Sequence, residues 1–160
     1  MANPFPFVAS TILTAAELNG IGEWTSYTPL LTGSTTNPTL GTGATSTGKY
    51  SRIQNLIIYK FSIFFGTSGF VAGVGNYRIS LPVNSTGGKA FYSSESGQTS
   101  FYDSSANAPY YADIWMSSAS QITIQTQPTL NGVLGILSAT TPVIPANNDA
   151  ITGLVIYEAA

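Results

Sequence analysis

The chain has 160 residues, the length of one ordinary domain, and carries a net charge of −2. Only 8% of its residues are charged, whereas 43% are hydrophobic and 12% are aromatic, so an isolated copy would have little surface charge to keep it in solution. The Lys and Arg residues are scattered, which argues against a basic stripe for nucleic acid. We therefore expect a homo-oligomer that does not bind nucleic acid.

The first residues form an apolar arm stiffened by proline. Pro4, Phe5, Phe7 and Val8 lie within five positions of one another, and such a stretch does not form a helix and costs free energy if it stays in water. We expect it to lie against a partner. The arm lacks the basic residues and long apolar core of a secretory signal, and no segment has the roughly 20 apolar residues that cross a bilayer. The expected protein is soluble, is made in the cytoplasm and has no membrane partner.

A helix-capping pattern follows the arm. Thr14 and Glu17 have the spacing of a capping box, in which each side chain accepts a hydrogen bond from the other residue's backbone amide. Leu13 and Leu18 stand at the positions of a hydrophobic staple. The pattern predicts one short helix over residues 15–19, so residues 1–23 are expected to form a docking arm and residues 24–160 the main domain.

From Trp24 onward, apolar and polar residues alternate with period two, and Gly, Pro, Asn and Ser separate the runs. The clearest strand covers residues 56–65 and is apolar on both faces, so we expect it to be buried on both. The other predicted strands cover residues 24–31, 48–54, 76–82, 89–94, 98–102, 109–116, 121–127 and 151–158. The expected fold is all-β, an antiparallel β-sandwich of the jelly-roll kind.

The residues that usually carry catalysis are scarce. The chain has no His and no Cys, which removes the usual general base, the commonest metal ligand and thiol chemistry. Hairpins could bring Asp103 together with Asp113 or Glu95, as sugar hydrolysis by two carboxylates would require. Carboxylates at strand ends more often cap turns. We expect no enzyme, no cofactor and no metal, with an interface calcium as the minor alternative.

Seven aromatic residues lie between positions 91 and 115. An exposed ring can stack on the apolar face of a sugar, but adjacent aromatics on a strand point to opposite faces, so at least one of each pair belongs in the core or at a subunit contact. We favour core or interface over glycan binding. The candidates for glycan or interface contact are Tyr92, Tyr102, Tyr110, Tyr111 and Trp115.

Three segments resemble a known group of proteins. Residues 7–19 with 24–29, residues 48–56 and residues 75–83 resemble segments of tailed-bacteriophage virion surface proteins, the group of capsid decoration, head-fibre and minor tail proteins. The resemblance covers roughly residues 7–83. It implies a virion protein whose β-domain is trimeric, and the absence of a fibrous shaft after a single β-domain favours the capsid exterior over the tail.

The expected function is thus that of a structural, trimeric capsid decoration protein. In this interpretation the arm binds the major capsid protein or another virion protein, with Phe5, Phe7, Leu13 and Leu18 as anchors, and stabilises the shell because it binds only the assembled form. The alternative is a minor tail or tail-fibre protein that contacts a host glycan through loops 66–75 or 84–88 and the aromatics. A polysaccharide-cleaving enzyme is a further alternative.

Overall fold

The computed structural model describes residues 12, 14, 15, 19–86, 96–126 and 135–160. Within these ranges the chain forms ten strands: β1 (Trp24–Tyr27), β2 (Leu31–Gly33), β3 (Thr45–Ile53), β4 (Leu56–Phe64), β5 (Tyr77–Ser80), β6 (Ser96–Asp103), β7 (Ala108–Ser118), β8 (Gln121–Thr126), β9 (Gly135–Ile136) and β10 (Ala150–Glu158). The predicted all-β class is confirmed.

All the strands belong to one antiparallel sheet in the order β1-β3-β4-β10-β6-β7-β8-β5-β2, with β9 paired to β8. β1 and β2 stand at the two ends of this order, yet only residues 28–30 join them. Laid flat, nine strands would separate these ends by about 38 Å. The joining segment spans at most roughly 14 Å, so the sheet has to curl into a half-barrel.

The curl gives the sheet an inner face that holds the core. On β4, Ile57, Tyr59, Phe61 and Ile63 alternate along the strand and are all buried. The largest fully buried side chains come from both walls of the curled sheet: Tyr59, Tyr77, Tyr157, Phe65, Phe101, Ile57, Ile63, Ile79, Ile122, Ile124, Leu137 and Ile151. They form one hydrophobic cluster. The predicted division into two packed sheets is not confirmed, because strand pairing runs without a break.

The other face of β4 differs from the sequence-based expectation. Leu56 is 44% exposed, Lys60 is exposed, and Ile58 and Phe64 are only partly buried. The expectation that this strand is buried on both faces was therefore wrong for the chain taken alone. Nothing within the described residues covers this outer face fully, because the core occupies only the inside of the curl.

A pair of long loops extends the sheet beyond its regular strands. Residues 34–44 and 66–76 run antiparallel and are joined by the bridges Thr36↔Val74, Thr39↔Val71 and Thr42↔Ser68. Gly73 has a φ of 69°, and a Cβ there would collide with the Thr36 carbonyl oxygen. Only glycine therefore fits this close approach of two backbones.

Several strand boundaries also differ from the prediction. The predicted strand at 24–31 is divided into β1 and β2, since the chain crosses from one edge of the sheet to the other at residues 28–30. β3 begins at Thr45, three residues before the predicted strand at 48–54. β9 has only two residues and was not predicted. The predicted strand at 89–94 lies outside the described residues.

Candidate functional site

The outer face of the sheet carries a row of hydroxyl groups across five adjacent strands. The register aligns one residue from each of β3, β4, β10, β6 and β7: Thr47, Ser62, Thr152, Ser100 and Tyr111. At the usual spacing between strands this hydroxyl row is about 19 Å long. The Ser100 Oγ and Thr152 Oγ1 atoms are 3.0 Å apart, so these two neighbouring members of the row hydrogen-bond to each other.

Two shallow grooves lie along the hydroxyl row. One has a volume of about 320 Å³ and is lined by Gln98, Thr99, Ser100, Tyr111, Thr152 and Gly153. The other has a volume of about 240 Å³ and is lined by Thr47, Gly48, Lys49, Lys60, Phe61 and Ser62. Because Ser62 and Thr152 are cross-strand partners, the two grooves are neighbours on one surface. Together they form a depression that follows the row.

Two lysines lie beside one end of the row. Lys49 on β3 and Lys60 on β4 are directly opposed in the antiparallel register. Like charges at directly opposed positions destabilise a sheet. The Lys60 Nζ lies 4.9 Å from the centre of the Trp24 ring, a cation–π contact that stabilises one of the two ammonium groups.

The outward-facing side chains at the far end of the same strands are mostly apolar, although Glu158 on β10 stands opposite Leu56. Ile53 and Leu56 are cross-strand partners and are 40% and 44% exposed, respectively. Ile58 and Ile156 form the next pair of outward-facing side chains, between β4 and β10. We call these four residues the apolar end. An apolar patch that remains open to water is typical of a contact surface.

Most of the predicted arm lies outside the described residues. Pro4, Phe5, Phe7, Val8, Leu13, Glu17 and Leu18 lie outside the described residues, as does most of the predicted helix at 15–19. Thr14 is described and is exposed. The chain enters the described part through a turn at residues 20–23, where the Ser51 hydroxyl donates to the Gly22 carbonyl oxygen at 2.8 Å. This contact brings the end of the arm next to the apolar end.

The structure separates the predicted aromatic candidates. Tyr111 is 61% exposed and Tyr102 is 38% exposed, both on the outer face, and the Tyr102 hydroxyl donates to Asn107 Oδ1 at 2.7 Å. Tyr110 points inward and its ring centre lies 6.2 Å from that of Phe101. Trp115 is partly buried. Adjacent Tyr110 and Tyr111 thus point to opposite faces as predicted, whereas Tyr92 lies outside the described residues.

The carboxylates considered for sugar hydrolysis are not brought together. Asp103 pairs with Ala108 at one end of the β6–β7 hairpin, and Asp113 is five residues further along β7, on the order of 17 Å away. Asp103 Oδ1 instead accepts hydrogen bonds from the Ser105 hydroxyl at 2.7 Å and from the Ser105 and Ala106 amides. The Ser105 hydroxyl, helped by these amides, lowers the pKa of Asp103 against the opposing effect of burial. Glu95 lies outside the described residues.

Asp149 has a similar structural role that the sequence analysis did not identify. It is buried, and its two carboxylate oxygens accept from the Ser104 amide at 2.9 Å and the Ala146 amide at 2.8 Å. It thereby joins the β6–β7 turn to the segment before β10. Asp103 and Asp149 are turn-capping groups, since Asp103 Oδ1 and both carboxylate oxygens of Asp149 accept from protein donors.

The members of the hydroxyl row and the lysine pair were also missed by sequence analysis. Each strand shows only that hydroxyl residues alternate with apolar ones, as in Ser62 between Phe61 and Ile63. Which hydroxyls become neighbours depends on the cross-strand register, and a pattern of period two does not contain that information. The opposition of Lys49 and Lys60 could have been found only by assuming a tight β3–β4 hairpin.

Comparisons with known proteins add no family to this description. No protein-family model, no curated protein and no solved structure matches the chain. In the ranges that the structure describes, no three Asp, Glu, His or Cys side chains are grouped as metal ligands would be. The same ranges contain no helix with the length and apolarity needed to cross a membrane. The fold defines the class, an all-β protein with one curled antiparallel sheet.

Proposed function

We propose that the protein is a structural component of a bacteriophage virion surface, a trimeric capsid decoration protein that docks on the shell through its N-terminal arm. It acts by binding and not by catalysis. Its partners are two further copies of itself and the major capsid protein or another virion protein. By binding the assembled shell better than the free subunits, it stabilises the particle through mass action.

The observation that carries this proposal is the apolar end of the outer face. Ile53 and Leu56 are both at least 40% exposed, next to the partly buried pair Ile58 and Ile156. Leu154, on the same face of β10, is 42% exposed. Apolar surface concentrated in this way is suited to subunit contact, since burying it releases roughly 25 cal/mol for each Å².

The composition supports the same conclusion. Only 8% of the residues are charged, and the cores of subunit interfaces are depleted of charged residues and enriched in aromatic ones. A protein that functions alone in solution usually has a surface with about 25–35% charged residues. Association with neighbours removes the exposed apolar groups from water without requiring more charge.

The proposal also includes a jelly-roll-like fold. We interpret the half-barrel as a jelly-roll-like sandwich, in which the wall formed by β3, β4 and β10 packs across one core against the wall formed by β8, β5 and β2. The capped helix of residues 15–19 then connects this domain to the arm. The contact between Ser51 and Gly22 supports an arm that leaves the domain beside the apolar end.

A truncation that starts at Asn19 tests the docking role of the arm. It removes the apolar residues but keeps the turn at 20–23 that contacts Ser51. We expect the truncated protein to remain a folded trimer and to be lost from the particle when particles are assembled in its presence. The measurement is the amount of protein that co-sediments with particles.

Point variants of the arm supply the control for this truncation. Replacing Phe5 and Phe7 together by Ser removes two apolar anchors, whereas replacing Asn3 by Ser changes a polar neighbour. We expect co-sedimentation to fall for the first variant and to stay unchanged for the second. Normal incorporation of both the truncated protein and the Phe5/Phe7 variant would refute docking by the arm.

A second candidate function, receptor binding at the tail, is favoured by one specific observation. Tyr102 and Tyr111 expose their rings on the outer face, where a host glycan could stack on them. Binding of the purified protein to empty capsids supports the decoration function. Binding to whole host cells without binding to capsids would instead support the tail function.

A further inference from the structure

The hydroxyl row and the lysine pair form a surface whose chemistry goes beyond docking. The chain has five Lys and Arg residues in total and a net charge of −2. Two of these cations, Lys49 and Lys60, stand side by side on the outer face. The positive charge is therefore local, and a polyanion would be attracted to this position and not to the protein as a whole.

The immediate neighbours of the lysine pair do not neutralise it. In the register, the outward-facing residues next to Lys49 and Lys60 are Ser26, Thr47, Ser51, Ile58, Ser62 and Leu154. None of these side chains carries a negative charge. Directly opposed side chains have Cβ atoms about 4.5–5.5 Å apart, so one anionic group could contact both ammonium groups and offset their repulsion.

The hydroxyl row has the hydrogen-bonding groups that a chain of sugars requires. Each Ser or Thr hydroxyl both donates and accepts a hydrogen bond, as sugar hydroxyls do. Ser100 and Thr152 already pair in this manner at 3.0 Å. Tyr111, which is 61% exposed, closes one end of the row with a ring on which the apolar face of a sugar can stack.

We infer that this surface binds an acidic polysaccharide. One carboxylate of the sugar chain lies between Lys49 and Lys60, the following sugar rings lie along the hydroxyl row, and a ring stacks on Tyr111. The two grooves of about 240 Å³ and 320 Å³ hold these parts of the ligand. This binding does not depend on attachment to a capsid and would operate at either site on a virion.

The distribution of charge favours this ligand over a nucleic acid. Phosphates repeat along the whole length of a nucleic acid strand and require cations along the whole binding site. Here the cations are confined to β3 and β4, and the members of the row on β10, β6 and β7 are uncharged. A sugar polymer with spaced carboxylates fits this asymmetry.

Binding to immobilised polysaccharides tests the inference with the full-length protein. The panel consists of polygalacturonate, alginate, hyaluronan and polysialic acid, with dextran as the neutral polymer and a single-stranded oligonucleotide as the phosphate polymer. We expect at least one carboxylated polymer to bind. Reducing the carboxyl groups of that polymer to alcohols should weaken its binding about tenfold or more, since a hydrogen bond to a charged group is lost.

Variants then assign the binding to this surface. Replacing Lys49 and Lys60 together by Gln should weaken binding about tenfold or more, and Tyr111→Ala should weaken it several-fold. Arg78→Gln on β5 removes one positive charge elsewhere and should leave binding unchanged. An unchanged melting temperature shows that each variant is folded. Replacing Lys49 and Lys60 together by Arg keeps both positive charges and should retain most of the binding, so this variant serves as the comparison if the Gln variant is unfolded.

Three results would overturn the inference. The first is that no carboxylated polymer binds better than dextran. The second is binding that does not depend on charge, seen either as equal binding of the native and the carboxyl-reduced polymer or as unchanged binding by the folded Gln variant. The third is tighter binding of the oligonucleotide than of every polysaccharide, which would identify a nucleic-acid surface instead.

Discussion

The hydroxyl of Tyr27 on β1 donates a hydrogen bond to Ser80 Oγ on β5 at 2.7 Å. Six strands separate β1 from β5 in the order of the sheet, so this bond spans the open side of the curl. The same Ser80 oxygen accepts from the Leu30 amide at 2.8 Å. Nearby, the Tyr157 hydroxyl donates to the Val83 carbonyl oxygen at 2.8 Å. Tyrosine hydroxyls thus hold the two walls of the half-barrel together.

Replacing Tyr27 by Phe should weaken this closure. The ring contact with Tyr59, at 5.8 Å between centres, remains, but the hydroxyl bond to Ser80 is lost. We expect the free energy of unfolding to fall by about 0.5–1.5 kcal/mol, as measured by chemical denaturation. Tyr111→Phe on the exposed outer face is the matched control and should change it by less than about 0.5 kcal/mol. Equal effects of the two changes would contradict the closure.

Gly153 on β10 tests the packing of the inner face. A Cβ at this position would lie 2.5 Å from Phe61 Cζ and 2.6 Å from Thr99 Cγ2. Gly153→Ala should therefore destabilise the fold by about 1–3 kcal/mol through overpacking. Thr152→Ala, one residue away with its side chain on the outer face, should have a much smaller effect. Thermal unfolding of both variants checks this, and a neutral Gly153→Ala would mean that the core has room there.

Alkaline pH should destabilise the protein through its buried tyrosines. Burial raises the pKa of Tyr59, Tyr77 and Tyr157 above the ordinary value. Because the unfolded chain loses these protons first, stability is fully present below about pH 10 and falls as the pH rises further. Unfolding free energies measured across this range should show the loss, and Tyr157→Phe should reduce it. A stability that stays constant above pH 10 in the wild-type protein would contradict the burial of these hydroxyls.

Acid should release the turn held by Asp103. Its pKa is lowered, with the Ser105 hydroxyl as the largest cause, so its contribution is present above about pH 4 and is lost as the pH falls through the folded-state pKa. At neutral pH, Asp103→Ala should cost about 1–3 kcal/mol because it leaves several donors without an acceptor. Glu158→Gln, an exposed position on β10, is the control. Equal stability of Asp103→Ala and Glu158→Gln at pH 7 would contradict this role of Asp103.

The apolar end should control association. Leu56→Glu places a negative charge among Ile53, Ile58 and Ile156 and opposite Glu158, and we expect it to dissociate the oligomer, as measured by light scattering in solution. Thr45→Glu adds the same charge to the same face at the other end of β3 and should leave the mass unchanged. A wild-type monomer, or a Leu56→Glu oligomer of unchanged mass, would contradict a subunit contact at this end.

The period-two pattern was sufficient to predict the all-β class and most individual strands, including the one at 56–65. It could not predict the order of strands, because β10 inserts between β4 and β6 and such long-range pairing leaves no local signal. The split at residues 28–30 was missed for the same reason, since the curl depends on where the two edges meet. The pattern also overestimated burial at Leu56, because apolar residues on an outer face resemble core residues in sequence.

Imaging of labelled protein on purified phage particles tests the central proposal most directly. A gold label on the C-terminus should appear on the outside of the shell at regularly spaced positions, with three labels at each, and should disappear when the arm before Asn19 is removed. Particles without label on either head or tail, together with a protein that sediments as a free monomer, would contradict a structural role on the virion surface.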